Sequence, residues 1–293
     1  MTPAIAKESA RNDLRPTPDE IALMRDKARM VRLETIRLIE LPKIGHYSSV
    51  FSCAEIFASL YYGVMSLKYG DPAWPDRDRF TYGKGHAAIG HFPILTDLGF
   101  LPQEVLDGYC SLGNPLGDHP DMTKVPGIDF SSGSIGHALS NGLGMAMGAR
   151  MQGRDFTVFT MMGDGEMQEG QVWEAANAAV ANKVGNLIAI VDMNGYQLDG
   201  AVRDVNDTGD LAAKWRAFGW ETHEVDGHAL QALTFLLRKL KADKGRNGPA
   251  CIIAHTVKGK GIEMMENATG WHLGYLTPED SEIARQEILG KEI

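Results

Sequence analysis

Asp164 and Asn194 are the two residues whose type and spacing best suit shared chemistry. Asp164 lies in Gly163-Asp164-Gly165, directly after the apolar run FTVFTMM, and Asn194 opens Asn194-Gly195-Tyr196, directly after NLIAIVDM. They are 30 positions apart, a fair length for one strand-helix-strand crossover returning to the same sheet edge. Ligands of a parallel sheet bind where strands finish and helices begin, so the two side-chain oxygens are expected to meet there. Oxygen donors of this kind suit Mg²⁺, which commonly bridges one or two carboxyl or amide groups to substrate phosphates; Ca²⁺ and Mn²⁺ use the same donors. The backbone carbonyl of Tyr196 offers a further ligand. Gly163 and Gly165 would let amides approach a phosphate, and the next helix would offer its positive N-terminus. A lone GDG is most often a plain turn; the strand before it and the Asn at the next strand's end favour a metal-bound diphosphate.

The elements that must hold these residues are legible as alternation. FTVFTMM, a helix near 168–183, NLIAIVDM, a helix near 208–218, WETHEV, a helix near 228–242 and ACIIAHTV follow one another. Strands bounded by helices at this spacing predict an α/β fold, a parallel sheet with helices on both faces. Upstream, Thr17-Pro18-Asp19-Glu20 reads as a helix start. Ile21, Met24, Ala28, Val31, Ile36 and Ile39 then form the apolar stripe of that helix. Ala54 to Tyr62 reads as a second helix, the stretch from there to about 130 as long functional loops between short helices, and SSGSIGHALSNGLGMAMGAR as a tightly packed helix entered through a Gly loop. Residues 1–16 are expected to be an arm and 17–293 one domain, since no linker divides the chain.

Composition limits what this site can serve. With 29 Lys+Arg against 38 Asp+Glu the net charge is −9, the wrong sign for holding nucleic acid through the overall field, so an anionic ligand must be held locally. Three widely spaced cysteines support neither a disulfide framework nor a cysteine zinc site. The start lacks an apolar leader core and no stretch approaches the roughly 18 apolar residues of a membrane span, so no membrane association and a cytoplasmic location are expected. Gly is in excess, 33 of 293 residues, implying many tight turns or close backbone approaches.

GDGEMQEG followed by LIAIVDMNGYQLDG resembles the thiamine diphosphate motif of the transketolase family. The resemblance runs in order along nearly the whole chain, through Gly45-His46, RDRF with Gly85-His86-Ala87, Gly117-Asp118-His119-Pro120, SSGSIGHALSNGLGMAMG and Gly270-Trp271-His272. It implies the thiamine diphosphate-binding fold, thiamine diphosphate with Mg²⁺ as cofactors, and transfer of a two-carbon ketol unit from a ketose to an aldose. A full-length transketolase continues into a pyrimidine-binding domain and a C-terminal domain. The resemblance therefore implies the N-terminal subunit of a split enzyme, inactive alone and working with a C-terminal partner subunit, as an α2β2 heterotetramer with sites at the interfaces.

The same resemblance assigns residues. His86 and His272 would help bind the diphosphate and polarise the donor oxygen, while His46 and His119 would contact substrate hydroxyls. Imidazoles suit such work because they exchange protons near neutral pH. Gly133 and Ile135 match the loop around the thiazolium, and Glu169 matches a carboxylate at the subunit contact that relays between sites. The roles of His137, Asp199, Lys258 and Lys260 stay open, and His91, His223, His228 and His255 are expected to be structural. A zinc site is disfavoured because no HExxH pair occurs. Where many transketolases have GHPG, this chain has Gly45-His46-Tyr47-Ser48-Ser49, and the larger Tyr47 is expected to reshape the channel wall. Two other readings remain open: a related enzyme using the same cofactor, such as a deoxyxylulose-phosphate synthase-like or 2-oxo acid dehydrogenase-like subunit, and a catalytically silent cofactor-binding subunit.

Overall fold

The computed structural model describes residues 14–198 and 200–290. Most of the expected arm and Asp199 lie outside them. Seven strands occur among the described residues: β1 (Arg79–Tyr82), β2 (Val158–Gly163), β3 (Leu187–Met193), β4 (Tyr196–Gln197), β5 (Gly200–Ala201), β6 (Glu221–Asp226) and β7 (Ala250–His255). Five of them form one sheet in the order β1-β2-β3-β7-β6, every neighbouring pair parallel, and β4 and β5 form a small antiparallel hairpin.

Alternation along the central strands explains the two covered faces. Phe159 and Met161 of β2, Ile188 and Ile190 of β3, and Ala250, Ile252 and Ala254 of β7 pack into one core with helices Pro18–Ile39, Ala54–Ser59, Ala88–Asp97, Leu230–Ala242 and Pro278–Gly290. The residues between them, Val158, Met162, Leu187, Ala189, Val191, Cys251 and Ile253, pack into a second core with Ala138–Met151, Gly170–Ala181 and Leu211–Ala217. Strands buried on both faces read as unbroken apolar runs, which is why they were visible in the sequence. The helix predicted at Thr17 begins there: Thr17 Oγ1 accepts from the Glu20 amide at 3.3 Å, while the Glu20 carboxylate accepts from the Thr17 amide at 2.7 Å. This reciprocal cap satisfies two otherwise orphaned donors. No described helix is long and apolar enough to cross a membrane.

The region expected to be loops and short helices holds more order than that. It contains β1 and the ten-residue helix Ala88–Asp97. Charged residues disguise β1 because they anchor it. Asp129 takes a bidentate pair from Arg77 at 2.6 and 2.8 Å and accepts the Phe80 amide at 2.9 Å. Asp78 accepts the amides of Ser66 and Thr157 at 2.6 and 2.8 Å.

A buried polar cluster ties the first long helix to the loops that follow β6 and β7. Arg32 and Glu55 are fully buried and joined by two bonds of 2.6 and 2.9 Å. Arg32 also donates to the carbonyls of Phe51 and Lys260 at 2.9 and 3.0 Å. His228 donates from Nδ1 to Glu55 at 2.8 Å and accepts the Val257 amide on Nε2 at 2.9 Å. Burial pushes the Glu55 carboxyl up, but Arg32 and His228 outweigh it and hold it at about 2. His228 is thus structural as expected, and it fixes the segment that carries Lys258. Removing one member of such a buried pair leaves an uncompensated charge, so Glu55→Ala should lower the unfolding free energy by about 3–5 kcal/mol in urea titrations. A loss below about 1 kcal/mol would show the cluster to be peripheral to stability.

Candidate functional site

The turns that carry Asp164 and Asn194 lie side by side at the C-terminal edge of the sheet. Gly163, the last residue of β2, is in register with Asp192 of β3, so each side chain stands just past its strand end. Asp164 Oδ2 accepts the Gly195 amide at 2.7 Å, locking the two turns to each other, and Oδ1 accepts the Gly165 amide at 2.9 Å. Gly195 has φ +78°, a conformation that favours glycine. Asn194 Oδ1 accepts the Tyr196 amide at 3.1 Å and Nδ2 donates to Asp192 at 3.2 Å. Burial and the neighbouring Asp192 push the Asp164 carboxyl up to about 6, against the two glycine amides and Lys84.

The amide cradle expected at Gly163 and Gly165 is engaged within the chain. Gly163 donates to Glu166 Oε2 at 3.2 Å, Asp164 to the Asp192 carbonyl at 3.3 Å and Gly165 to the Asp164 side chain. A 3₁₀ turn, Gly165–Gln168, also separates this loop from the helix that starts at Gly170. The sequence pattern did not single out Glu166. Its carboxylate joins Gly163 to the Gly136 amide, 2.7 Å away, and burial pushes it up to about 7 despite those amides. A Cβ on Gly83 would lie 1.7 Å from Glu166 Oε1, so a larger residue there would displace this carboxylate.

Lys84 and Asp192 were also missed, although they form the polar centre of the site. Both are buried. The Lys84 ammonium pairs with Asp192 and donates to the Ser49 carbonyl at 2.8 Å. Ser52 donates to Asp192 at 2.8 Å, and Thr256 bonds its other oxygen. Burial opposes both charges, yet each partner outweighs it, holding Lys84 above the usual lysine value and Asp192 below the usual carboxylate value.

Three of the four expected histidines form a tight group beside this pair, with the fourth at its edge. The His46 ring centroid lies 5.0 Å from His86 and 5.2 Å from His272; His86 and His272 are 5.2 Å apart, and His119 is 6.5 Å from His46. Paired backbone bonds of 3.0 Å between Gly45 and Gly274 clamp the His46 and His272 loops together. A Cβ on Gly85 would lie 2.7 Å from both the Gly133 amide nitrogen and His119 Cδ2, so glycine is needed for these loops to approach. Lys258 Nζ lies 3.0 Å from His272 Nδ1, which gives this lysine a place the sequence left open. Burial and then Lys258 lower His272 to about 4, and burial with Lys84 lowers His86 well below the usual histidine value. Burial and Lys84 bring Lys258 down to about 8.

The expectation for Tyr47 is overturned. Its side chain is fully buried, packs against Phe51 and Trp271 with ring centroids 6.2 and 6.4 Å away, and accepts the Leu276 amide at 3.3 Å. It supports the wall from behind and does not line it. Ile135 is 38% exposed in the loop between Gly133 and Gly136, and Glu169 is exposed next to Gly136. His137 is exposed and bonds within its own loop, to the Ile135 carbonyl at 3.2 Å. Lys260 stands 3.6 Å from Glu266. His91 is buried among Phe57, Tyr61, Phe80 and Tyr82, and His223 and His255 pair with Glu221 and Glu224 at the surface.

Comparison with known proteins agrees with this geometry. The family "Transketolase, thiamine diphosphate binding domain" matches residues 24–292. The chain is 36% identical over 257 residues to one of the subunits of the apulose-4-phosphate transketolase of Phocaeicola vulgatus, covering 88% of this chain and 90% of that protein. It is 35% identical over 265 residues to a subunit of the 6-deoxy-6-sulfo-D-fructose transketolase of Clostridium sp. strain MSTE9, covering 90% and 96% respectively. Among solved structures, a transketolase variant from Pichia stipitis superposes with a TM-score of 0.84 at 26% identity over 91% of this chain and 40% of that one. The transketolase of Leishmania mexicana gives 0.83 at 26% identity, over 90% of this chain and 41% of its own. The chain belongs to the transketolase family and carries its N-terminal, thiamine diphosphate-binding domain.

Proposed function

We propose that this chain is the N-terminal subunit of a split transketolase, passing a two-carbon ketol unit from a ketose to an aldose only together with a separately encoded partner subunit that carries the pyrimidine-binding domain. An α2β2 assembly in the cytoplasm, with sites at subunit contacts, fits this reading. Its main support is the gathering of Asp164, Asn194 and the three close histidines at one strand edge, on a chain that spans about 40% of the solved transketolases it matches and 90–96% of two relatives named as subunits.

The donor set fits a hard divalent cation. Asp164 is a buried carboxylate whose hydrogen-bond partners are two backbone amides, and burial with the neighbouring Asp192 raises it to about 6, an environment in which a cation would favour the ionised form. Among the described residues no three His, Cys, Asp or Glu side chains form a metal site by themselves. Mg²⁺ would therefore rest on Asp164, Asn194, the Tyr196 carbonyl and the ligand's own phosphate oxygens. Thiamine diphosphate, when bound, supplies a nucleophilic ring carbon and an electron sink. This chain's part is to bind, orient and move protons. His272 and His86 are neutral at pH 7 and can hydrogen-bond a substrate oxygen without an ionic lock. Lys258 places a charge beside His272. Ile135 offers an apolar wall, and Glu169 is free to reach a partner surface.

Co-purification with a candidate partner, followed by a screen of ketose donors and aldose acceptors, tests the reading. Thiamine diphosphate binding without ketol transfer under any pairing would favour a silent cofactor-holding subunit. Calorimetry with Mg²⁺ and thiamine diphosphate should show binding abolished by Asp164→Ala or Asn194→Ala; unchanged affinity in both sinks the cation assignment. Because a cation needs the ionised carboxylate, Mg²⁺ affinity should also fall as pH drops through about 6. In the reconstituted complex His272→Ala should keep its circular dichroism and lose about 10²–10⁴ in kcat. Full activity would remove His272 from the site.

A further inference from the structure

We propose that Asp118 is a positioning residue of the histidine channel, a carboxylate that fixes the ring orientation and tautomer of His46 and steadies His119. This inference rests on the reading of the strand edge as a sugar channel. Asp118 lies in a loop braced by its own hydrogen bonds. The Cys110 amide donates to the Leu116 carbonyl at 2.9 Å, Asn114 accepts the Leu116 amide at 2.8 Å, and Asn114 donates to the Val105 carbonyl at 2.9 Å. Tyr109, Leu116 and Pro120 are buried on either side of the turn. The carboxylate is therefore presented by a fixed frame.

Its two oxygens meet two different imidazoles. Oδ1 lies 3.0 Å from His46 Nδ1 and Oδ2 lies 3.3 Å from His119 Nδ1. Burial opposes its charge, but the bond to His46 and the neighbouring imidazoles of His46, His119 and His272 together outweigh this and keep the group below the usual carboxylate range, so it is an acceptor at neutral pH. An acceptor at Nδ1 requires a proton on Nδ1, and in the neutral ring that leaves Nε2 as a bare acceptor. Among the described residues no protein group bonds that Nε2. His272 is set the opposite way. The Lys258 ammonium can only donate, so His272 Nδ1 accepts and its proton sits on Nε2. Two rings 5.2 Å apart at 84° thus have opposite polarity, His46 as acceptor and His272 as donor. Such a pair suits a ligand with a hydroxyl next to a carbonyl oxygen. Without Asp118 the polarity of His46 would be unset.

The tautomers can be read directly by two-bond ¹H–¹⁵N correlation on the full chain with ¹⁵N-labelled histidine, assigned with a His46→Gln variant. In the wild type the bare nitrogen of His46 should be Nε2. In Asp118→Ala and in Asp118→Leu, which keeps the side-chain volume, His46 should move to the Nε2–H tautomer or to an averaged mixture. Whichever variant keeps wild-type circular dichroism decides. A bare Nδ1 in the wild type, or an unchanged His46 tautomer in a folded variant, overturns the proposal. In the reconstituted complex the same variants should lose about 10- to 100-fold in kcat/KM with thiamine diphosphate affinity unchanged, by analogy with the scale for losing the orienting partner of a metal-bound histidine. Unchanged kcat/KM would also overturn it. Absence of ketol transfer by the wild-type complex would instead reject the functional reading and leave the tautomer result standing.

Discussion

Lys84 and Asp192 are charges withdrawn from water at the point where the sheet opens onto its ligand edge. Burying two ions costs several kcal/mol each, and their mutual attraction offsets this only when the remaining donors and acceptors are also satisfied. Here they are, through Ser49, Ser52, Thr256 and Asn194. Those partners come from separate stretches of chain: Lys84 follows β1, Asp192 is the next-to-last residue of β3, Thr256 follows β7, and the serines lie in and just after the helical turn Ser48–Phe51. One ion pair therefore sets the relative height of three strand ends. It also sets the field of the site, since Asp192 raises Asp164 while Lys84 lowers His86, Lys258 and His272.

Around that pair, loops are held by contacts that leave little freedom. The Gly45 and Gly274 clamp, the glycine-only approach of Gly85 to Gly133, and the Arg32, Glu55 and His228 cluster behind Val257 each fix a different loop. Preorganised polar groups are useful to a reaction because they need no rearrangement as charge develops. His86 and His272 meet this condition as groups that burial keeps neutral.

The sheet was legible because its central strands are buried on both faces, and so were Asp164 and Asn194, which stand one residue past the ends of two such strands. β1 was not, because four residues opened by Arg79 and anchored through Asp78 and Asp129 look like a charged loop. Lys84 and Asp192 were hidden for a different reason. A lysine in a glycine-rich turn is ordinarily solvated, and an aspartate at a strand's end gives no sign of its partner 108 positions away. Tyr47 was misread because its neighbour His46 faces the site; adjacent residues at the start of a helical turn point in different directions, and only tertiary packing decides which one the core takes. Asp118 was quoted within a motif, but its bond to His46 spans 72 positions and no local pattern encodes it.

The same electrostatics bear on why a cation belongs in the proposed site. Lys84 is consumed by Asp192, leaving Lys258, which lies against His272 and is brought down to about 8. Against it stand the carboxylates of Asp164 and Asp118, on a chain whose net charge is −9. The amides of the GDG turn already serve Glu166, Asp192 and Asp164. A diphosphate entering this edge would meet as much negative as positive charge, with few free backbone donors to compensate. The divalent ion proposed on Asp164 and Asn194 would reverse that balance. It would turn the buried carboxylate from a repulsive group into a ligand.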